Sequence, residues 1–206
     1  MIEYENELEA RCRQRMSSFS SLKTGIYVEG ELVQFRETML FNNEIGIMLP
    51  VVFQDMEPEE ARKKYFSEQR PQIIKTNEDG TVNFSFNLLE RKVGVRQIET
   101  VIQDFYHVLK RFQPMSVCLE IGSELYDPVP CAWMEFVSSA LDENLYNLFT
   151  IYPIDDKLLM IMFNCPFAKS MDWACCLLQI RKSIAIYGEE GKRGIGRAPV
   201  RSAYYE

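Results

Sequence analysis

The side chains that most often perform catalysis are scarce in this sequence. Nucleophilic catalysis by a serine or cysteine usually needs a neighbouring base, most often a histidine, and the 206 residues include 1 histidine, His107. On a helical wheel His107 lies about 180° from Ile98, in the middle of the polar side of a predicted helix. We therefore expect His107 to face solvent, and the sequence predicts no catalytic base and no enzyme.

Two other patterns are typical of ligand sites, and each has a structural interpretation. Phosphate-binding loops are glycine-rich and join a strand to a helix, but the glycine-rich segment 188–196 follows a predicted helix and precedes no predicted element. Asp155 and Asp156 occupy a predicted turn, where aspartate is favoured for local hydrogen bonds. The acidic residues within 55–60 surround the start of a predicted short helix and complement its dipole. The sequence therefore predicts no cofactor.

The cysteines do not form a recognisable metal or redox motif. They are Cys12, Cys118, Cys131, Cys165, Cys175 and Cys176. No two of them have Cys-x-x-Cys spacing, and a structural zinc site usually takes ligands in close pairs, often with histidine. Cys175 and Cys176 point about 100° apart on a predicted helix, so they cannot chelate one ion as a simple pair. Because the sequence shows no export signal, we expect reduced, mostly buried thiols and no metal.

Charge and hydropathy narrow the class of partner. The net charge is −7 and the sequence pI is about 5.0, whereas nucleic-acid binders cluster lysine and arginine to neutralise phosphates. The longest apolar run, Leu158–Phe163, is far too short to span a bilayer, and residues 1–7 lack the basic and then apolar order of a signal peptide. We therefore expect a cytoplasmic protein with no nucleic-acid partner and no membrane insertion. The remaining macromolecular partner is another protein.

The apolar periodicities predict a single α+β domain. Strands and helices follow the order β-β-α-β-β-α-β-β-β-β-α over residues 25–187, between a polar N-terminal arm at 1–24 and a flexible C-terminal tail at 188–206. Most connections are predicted hairpins, so the sheet should be largely antiparallel. Helices packed on both faces of that sheet would make an α-β-α sandwich.

Three predicted elements supply the core. An apolar stripe runs along a helix from Val95 to Phe112, and the last helix starts with Ser170 as its cap and ends at Gly188. The uninterrupted apolar run in strand 157–164 indicates a strand that is covered on both faces. We expect these residues of the three elements to be almost fully buried: Ile98, Phe105, Leu109, Phe163, Trp173 and Leu177.

This order of elements resembles the PsbP/Mog-type fold over residues 26–187. The matching patterns are the second strand, Ile45–Pro50, and the apolar strand Lys157–Asn164, which leads into the final helix with Trp173. The superfamily includes a Ran-GTPase-binding nuclear-import factor, an extrinsic photosystem subunit and bacterial DcrB-like proteins, some of which are adaptor chaperones for secreted effectors. No residues match the Ran-binding or photosystem branches in particular. The resemblance therefore points to the DcrB-like branch and implies protein binding without catalysis.

Four residues on neighbouring predicted strands are candidates for binding a partner. Strand 129–137 places Trp133 and Glu135 on one face, and Tyr146 and Tyr152 give the next strand a similarly amphipathic face. Tryptophan and tyrosine are enriched at interfaces because they combine a large apolar area with a polar tip. The alternative interpretation is that Trp133 packs beneath the last helix.

These observations favour a non-catalytic protein-interaction module, with an adaptor or chaperone for another polypeptide as the specific hypothesis. An accessible sheet face rich in methionine and aromatic residues would hold an apolar segment of that polypeptide. The alternative is a small-molecule-binding protein with a pocket between sheet and helix, and an enzyme is the third option. The tail, which carries arginines among glycines, either solubilises the protein or docks on a partner.

Overall fold

The computed structural model describes residues 20–65, 70–125, 129–140 and 142–187. Residues 1–19 of the predicted arm and the predicted tail lie outside the described residues. The strands are β1 Ser20–Ser21, β2 Gly25–Val28, β3 Glu31–Val33, β4 Phe35–Leu40, β5 Ile45–Pro50, β6 Gln54–Asp55, β7 Ile73–Thr76, β8 Asn83–Leu89, β9 Val117–Glu124, β10 Cys131–Ser139, β11 Asn144–Ile154, β12 Lys157–Pro166 and β13 Ala185–Ile186. The helices are α1 Pro58–Lys64, α2 Ile98–Phe112 and α3 Ser170–Lys182.

A seven-stranded antiparallel sheet forms the centre of the fold. Its strand order is β6-β7-β8-β12-β11-β10-β9, and each neighbouring pair is antiparallel. β12 is the middle strand, so both of its faces are covered, which explains the uninterrupted apolar run Leu158–Phe163. Two three-stranded antiparallel sheets, β1-β2-β3 and β13-β5-β4, complete the fold.

The two faces of the seven-stranded sheet pack against different elements. α2 contacts β9, β10 and β11 on one face, which we call the α2 face. Its buried cluster consists of Val93, Ile98, Val101, Ile102, Ala132, Met134, Phe136, Phe149, Ile151 and Leu158. α3 and the small sheets cover the opposite face, the α3 face, over a larger cluster that includes Phe84, Phe86, Leu159, Phe163, Trp173 and Leu177. The predicted α+β class, with a largely antiparallel sheet between helices, is confirmed.

The folded domain begins earlier than the sequence predicts, and its last helix ends earlier. β1 pairs with β2 and Leu22 is buried, so residues 20–24 belong to the domain and not to the predicted arm. Ser170 is the first residue of α3 and not its cap, since its Oγ donates to the carbonyl oxygen of Phe167 at 2.7 Å. α3 ends at Lys182, and the chain continues as a strand, β13, that pairs with β5.

The core prediction is confirmed for four of its residues. Ile98, Phe163, Trp173 and Leu177 are each at most 4% exposed. Phe105 and Leu109 are only half-buried, although the Phe105 ring packs edge-on against Phe149 with 4.8 Å between ring centres. The buried residues of α2 all lie in its N-terminal half. The prediction was wrong at these two positions because the helix approaches the sheet mainly with that half.

The cysteines are mostly buried, as predicted, but they are not all reduced. Cys131, Cys165 and Cys176 are buried free thiols, and Cys118 is a half-buried free thiol. Burial raises the pKa of Cys131 to about 11 and that of Cys165 to about 12, which makes both thiols poor nucleophiles. Cys175 is disulfide-bonded, so the expectation of reduced thiols is wrong at that residue.

Within the described ranges, no helix combines the length and the hydropathy that crossing a bilayer requires.

Candidate interaction surface

The four predicted contact residues lie on the α3 face of the sheet, but two of them are buried. In the register of β10 and β11, Trp133 lies opposite Thr150, and opposite residues of antiparallel strands share a face. Tyr146 is 3% exposed and Tyr152 is 1% exposed. The prediction that these tyrosines form an accessible contact surface is therefore wrong. Trp133 and Glu135 are half-buried, and their role in partner binding stays a prediction.

The two tyrosines are held by contacts within the fold. Tyr152 Oη donates to the backbone carbonyl of Arg181 in α3 at 2.9 Å, and burial raises the pKa of Tyr152 well above its usual value. Tyr146 Oη donates to Glu135 Oε2 at 2.7 Å, and its ring packs edge-on against Phe163. Alternation along a strand predicts which side chains share a face, but it does not predict which distant element covers that face.

Trp133 packs beside the C-terminal turn of α3. This position agrees closely with the alternative interpretation, in which Trp133 packs beneath the last helix. The guanidinium carbon of Arg181 lies 3.5 Å from the centre of its indole ring, which is a cation–π contact. The indole also lies against Gly122 of β9, where an added Cβ would come within 2.3 Å of Trp133 Cζ2. A larger residue at position 122 would therefore displace the indole.

The cavity between the sheet and α3 is too small for a small-molecule ligand. Its volume is about 20 Å³, which is room for about one water molecule, whereas ligand pockets commonly measure roughly 300–1,000 Å³. Its walls are mostly apolar, with Thr150 and Arg181 among the exceptions. In this conformation the cavity does not support the small-molecule alternative.

His107 lies on the exposed side of α2, as the helical wheel predicts. Its lack of a catalytic role stays a prediction.

Four exposed apolar side chains lie close together in the sequence where α2 ends and β9 begins. Of the 12 exposed large hydrophobic residues among those described, four fall within positions 108–117. We call them the apolar corner: Val108, Phe112, Met115 and Val117. Met115 is 81% exposed and Phe112 is 77% exposed, the two highest values of the 12. Clustered exposed apolar residues mark interaction sites, whereas single ones are normal on any surface.

The backbone of the apolar corner is held by hydrogen bonds. Lys110 Nζ donates to the carbonyl oxygens of Pro114, at 2.8 Å, and Ser116, at 2.9 Å. Ser116 is buried, and its backbone N–H donates to the carbonyl oxygen of Gln113 at 3.0 Å. These bonds fix the chain on both sides of Met115. The exposed side chains therefore project from an ordered turn, which lowers the entropic cost of binding.

β9 forms one edge of the seven-stranded sheet. It pairs with β10 on one side, and none of the other described strands pairs with its outer side. Residues 118–124 are all half-buried. An edge strand presents a row of backbone N–H and C=O groups that a further strand can bind.

The α3 face of this edge is acidic. Glu120 of β9 lies directly opposite Glu135 of β10, so two carboxylates share this face at neighbouring positions. Glu124 lies farther along β9 on the same face. It accepts a hydrogen bond from Lys182 Nζ at 3.2 Å and lies 4.0 Å from Arg181 Nη2. α3 therefore compensates the charge of Glu124, and the Tyr146 hydroxyl donates a hydrogen bond to Glu135.

The sequence interpretation missed the apolar corner because it assigned Phe112 to a buried stripe. Exposure along that stripe rises from 0% at Ile98 to 77% at Phe112. The available signal was weak: Met115 directly follows Pro114, which is predicted to end the helix, and Val117 lies two residues farther on. A short connection with large apolar side chains indicates either packing or an interface, and sequence alone does not distinguish the two.

Comparison with known proteins identifies the fold. The solution structure of cyanobacterial PsbP (CyanoP) from Synechocystis sp. PCC 6803 aligns with a TM-score of 0.57 and 10% sequence identity, over 79% of this chain and 98% of that chain. The crystal structure of LpqN, involved in cell envelope biogenesis of Mycobacterium tuberculosis, aligns with a TM-score of 0.47 and 8% sequence identity. The alignment covers 78% of this chain and 94% of LpqN. A crystal structure of a protein from Bacteroides thetaiotaomicron VPI-5482 aligns with a TM-score of 0.48 and 13% sequence identity. The alignment covers 75% of this chain and 49% of that chain. No family model and no curated protein sequence matches.

The first of these alignments confirms the PsbP-like fold that the sequence resemblance implies. At 10% identity the likeness establishes the fold alone. Assignment to the DcrB-like branch stays a prediction.

Proposed function

We propose that this protein binds another polypeptide through the apolar corner and performs no catalysis on it. The observation that carries the proposal is the exposure of Phe112 and Met115 on an ordered turn. Burial of apolar surface stabilises a protein by roughly 25 cal/mol per Å². A partner that covers these exposed side chains would therefore gain this free energy on binding. Aromatic residues and methionine are also enriched in protein interfaces.

The narrower hypothesis is an adaptor or chaperone, and the disulfide at Cys175 favours an oxidising compartment over the predicted cytoplasm as the place where it works. Met115 supports a chaperone because the flexible methionine side chain adapts to partners of different shape. Trp133 and Glu135 stay candidate contact residues, since β10 lies one strand inward from the β9 edge. Because the cavity under α3 is too small for a small-molecule ligand, binding of a macromolecule at the surface is favoured.

The test is affinity purification of the full chain from the organism that expresses it, followed by quantitative mass spectrometry of the co-purified proteins. The wild-type protein should recover a specific partner. Phe112→Asp and Met115→Asp should each reduce that recovery by at least about tenfold, because each would leave an unpaired carboxylate in an apolar interface. Circular dichroism should show that both variants keep the fold, since both side chains are exposed.

Val52→Asp is the matched control. Val52 is 71% exposed and lies between β5 and β6, outside the apolar corner, so the same change of chemistry there should leave recovery unchanged. If Phe112→Asp and Val52→Asp recover the partner in equal amounts, the apolar corner is not the binding surface. If no specific partner is recovered with the wild-type chain, the proposed function itself is wrong.

A further inference from the structure

We infer that Met115 is an oxidation site that controls the apolar corner: a peroxide converts its thioether to the sulfoxide, and the oxidised chain then binds its partner weakly. The inference rests on the proposed function and adds its regulation. Three features carry it. They are the exposure of Met115, its place on an ordered turn within the apolar corner, and the lower accessibility of the other sulfur atoms in the described residues.

Met115 is the most exposed methionine among the described residues. It is 81% exposed, whereas Met39, the next most exposed, is 39% exposed. The remaining described methionines are half-buried or buried: Met48, Met56, Met134, Met160, Met162 and Met171. A peroxide must touch the sulfur to oxidise it, so exposure determines which methionine reacts first.

The free thiols of the described residues compete poorly for the same oxidant. A cysteine reacts as its thiolate, and Cys131, Cys165 and Cys176 are buried. Burial raises the pKa of Cys131 to about 11 and that of Cys165 to about 12, and it also raises the pKa of the half-buried Cys118. A thioether carries no proton, so its reactivity does not depend on a pKa. Met115 is therefore the described sulfur atom that a peroxide reaches most readily.

The reaction is a two-electron oxidation of the Met115 sulfur. A lone pair of Sδ attacks one oxygen of the peroxide, and the O–O bond breaks as the S–O bond forms. With hydrogen peroxide, the departing hydroxide takes the proton from the oxygen that stays on sulfur and leaves as water. The thioether is thus oxidised to the sulfoxide while the peroxide is reduced to water.

The sulfoxide changes the apolar corner at its most exposed position. Oxidation turns a flexible, apolar side chain into a polar one. Its oxygen would lose hydrogen bonds to water on entering an apolar interface, which costs free energy where no donor replaces them. The turn is held by hydrogen bonds from Lys110 to the backbone oxygens of Pro114 and Ser116, which do not involve the thioether. Oxidation should therefore weaken binding and leave the fold intact.

The first test is oxidation of the folded, full-length protein with hydrogen peroxide, mapped by peptide mass spectrometry. The sulfoxide should form at Met115 at least about tenfold faster than at Met134, which is 2% exposed. It should also form faster at Met115 than at Met39. In urea, where the fold no longer shields any sulfur, the three rates should become similar. Equal rates at Met115 and Met134 in the folded protein would overturn the inference.

The second test measures partner recovery after a peroxide dose that oxidises Met115 alone. The protein is freed of peroxide before it meets the partner, so that the partner itself is not oxidised. Recovery by the wild type should fall by at least about tenfold. Met115→Leu keeps an apolar side chain of similar volume without a sulfur atom, so it should recover the partner equally before and after peroxide treatment.

Met39→Leu is the matched control, because the substitution is the same but Met39 lies in β4, outside the apolar corner. This variant should lose recovery on oxidation as the wild type does. Methionine sulfoxide reductases with a thiol reductant should restore recovery to the oxidised wild type. The same treatment should leave recovery by the unoxidised protein unchanged, which separates the sulfoxide from any effect of reducing the disulfide at Cys175.

Two results of the second test would also overturn the inference. The first is that the wild type with a sulfoxide at Met115 recovers as much partner as the unoxidised protein. The second is that the reductases fail to restore recovery, or that Met115→Leu loses recovery on oxidation, since either result assigns the loss to another group. If these results occur while Phe112→Asp still abolishes recovery, regulation by oxidation is wrong and the proposed function stands. If Phe112→Asp recovers the partner normally, the proposed surface is wrong, whichever methionine is oxidised first.

Discussion

Truncating Phe163 to alanine tests the packing between β12 and α3. Phe163 is 1% exposed and lies on the middle strand of the sheet. Its ring centre is 4.9 Å from that of Phe84 and 5.5 Å from that of Trp173. The same ring also packs edge-on against Tyr146. One side chain therefore connects β8, β11, β12 and α3, and its removal affects all four elements.

The expected loss in the free energy of unfolding is about 4–5 kcal/mol. Truncation of a buried phenylalanine to alanine typically costs 3–5 kcal/mol, since apolar burial is lost and a cavity remains. Each aromatic pair adds about 0.5–1.5 kcal/mol beyond its buried area, and Phe163 makes three such contacts, which places it at the upper end. Domains are commonly stable by only about 5–15 kcal/mol, so Phe163→Leu, with an expected cost of about 1–1.5 kcal/mol, provides a variant that stays folded.

The assay is urea denaturation followed by tryptophan fluorescence, because Trp173 contacts the Phe163 ring and reports on its surroundings. Phe112→Ala is the control: the substitution is the same, but at 77% exposure it should change stability by less than about 0.5 kcal/mol. A loss below about 2 kcal/mol for Phe163→Ala would refute the described core. A loss of the same size for both variants would show that Phe112 is buried and would remove the basis of the apolar corner.

Three further predictions concern a close approach, an ionisable pair and the thiols. Gly122→Ala should lower stability by about 1–3 kcal/mol and change the fluorescence of Trp133, because the new Cβ would lie 2.3 Å from Trp133 Cζ2; an unchanged spectrum and stability would contradict that contact. The hydrogen bond to the Glu37 carboxylate raises the pKa of Tyr187 to about 12 from 10.0, so this bond should stabilise the fold below pH 10 and be lost as the pH rises through 12. Glu37→Gln should weaken that dependence in denaturation curves measured across this pH range, and identical pH profiles would refute the coupling. Titration of the denatured, unreduced protein should find four reactive thiols, since the disulfide at Cys175 uses two of the six cysteines. Four thiols would also count against the predicted cytoplasmic location, because disulfides persist mainly in oxidising compartments. Six reactive thiols would exclude the disulfide.

Periodicity predicted the elements with strong apolar patterns, and the structure shows why those predictions succeed. Strand β12 and the N-terminal half of α2 each bury a regular set of side chains, so their sequences repeat with the period of the element. The antiparallel order followed from hairpin turns in the same way. The short strands β1 and β13 were missed because two residues are too few to show any period.

The candidate contact residues were predicted less well, for a physical reason. Alternation correctly placed Trp133, Glu135, Tyr146 and Tyr152 on one face of the sheet, but exposure depends on which distant element covers that face. Here α3 covers it, through a hydrogen bond from Tyr152 to a backbone carbonyl of the helix. That contact joins residues 29 positions apart in the chain, and neither local sequence contains a signal for it.

The dimensions of the α2 face explain why a binding surface forms at the end of α2. A helix is about 10 Å across and strands lie about 4.8 Å apart, so one helix covers only two or three strands of a seven-stranded sheet. α2 covers β9, β10 and β11, which leaves Met160 and Met162 of β12 half-buried. The chain then leaves α2 and enters β9 at the outer edge of the described sheet, where Phe112 and Met115 stay exposed. Exposure of Phe112 and Met115 therefore follows from the position of β9 at the edge of the described seven-stranded sheet.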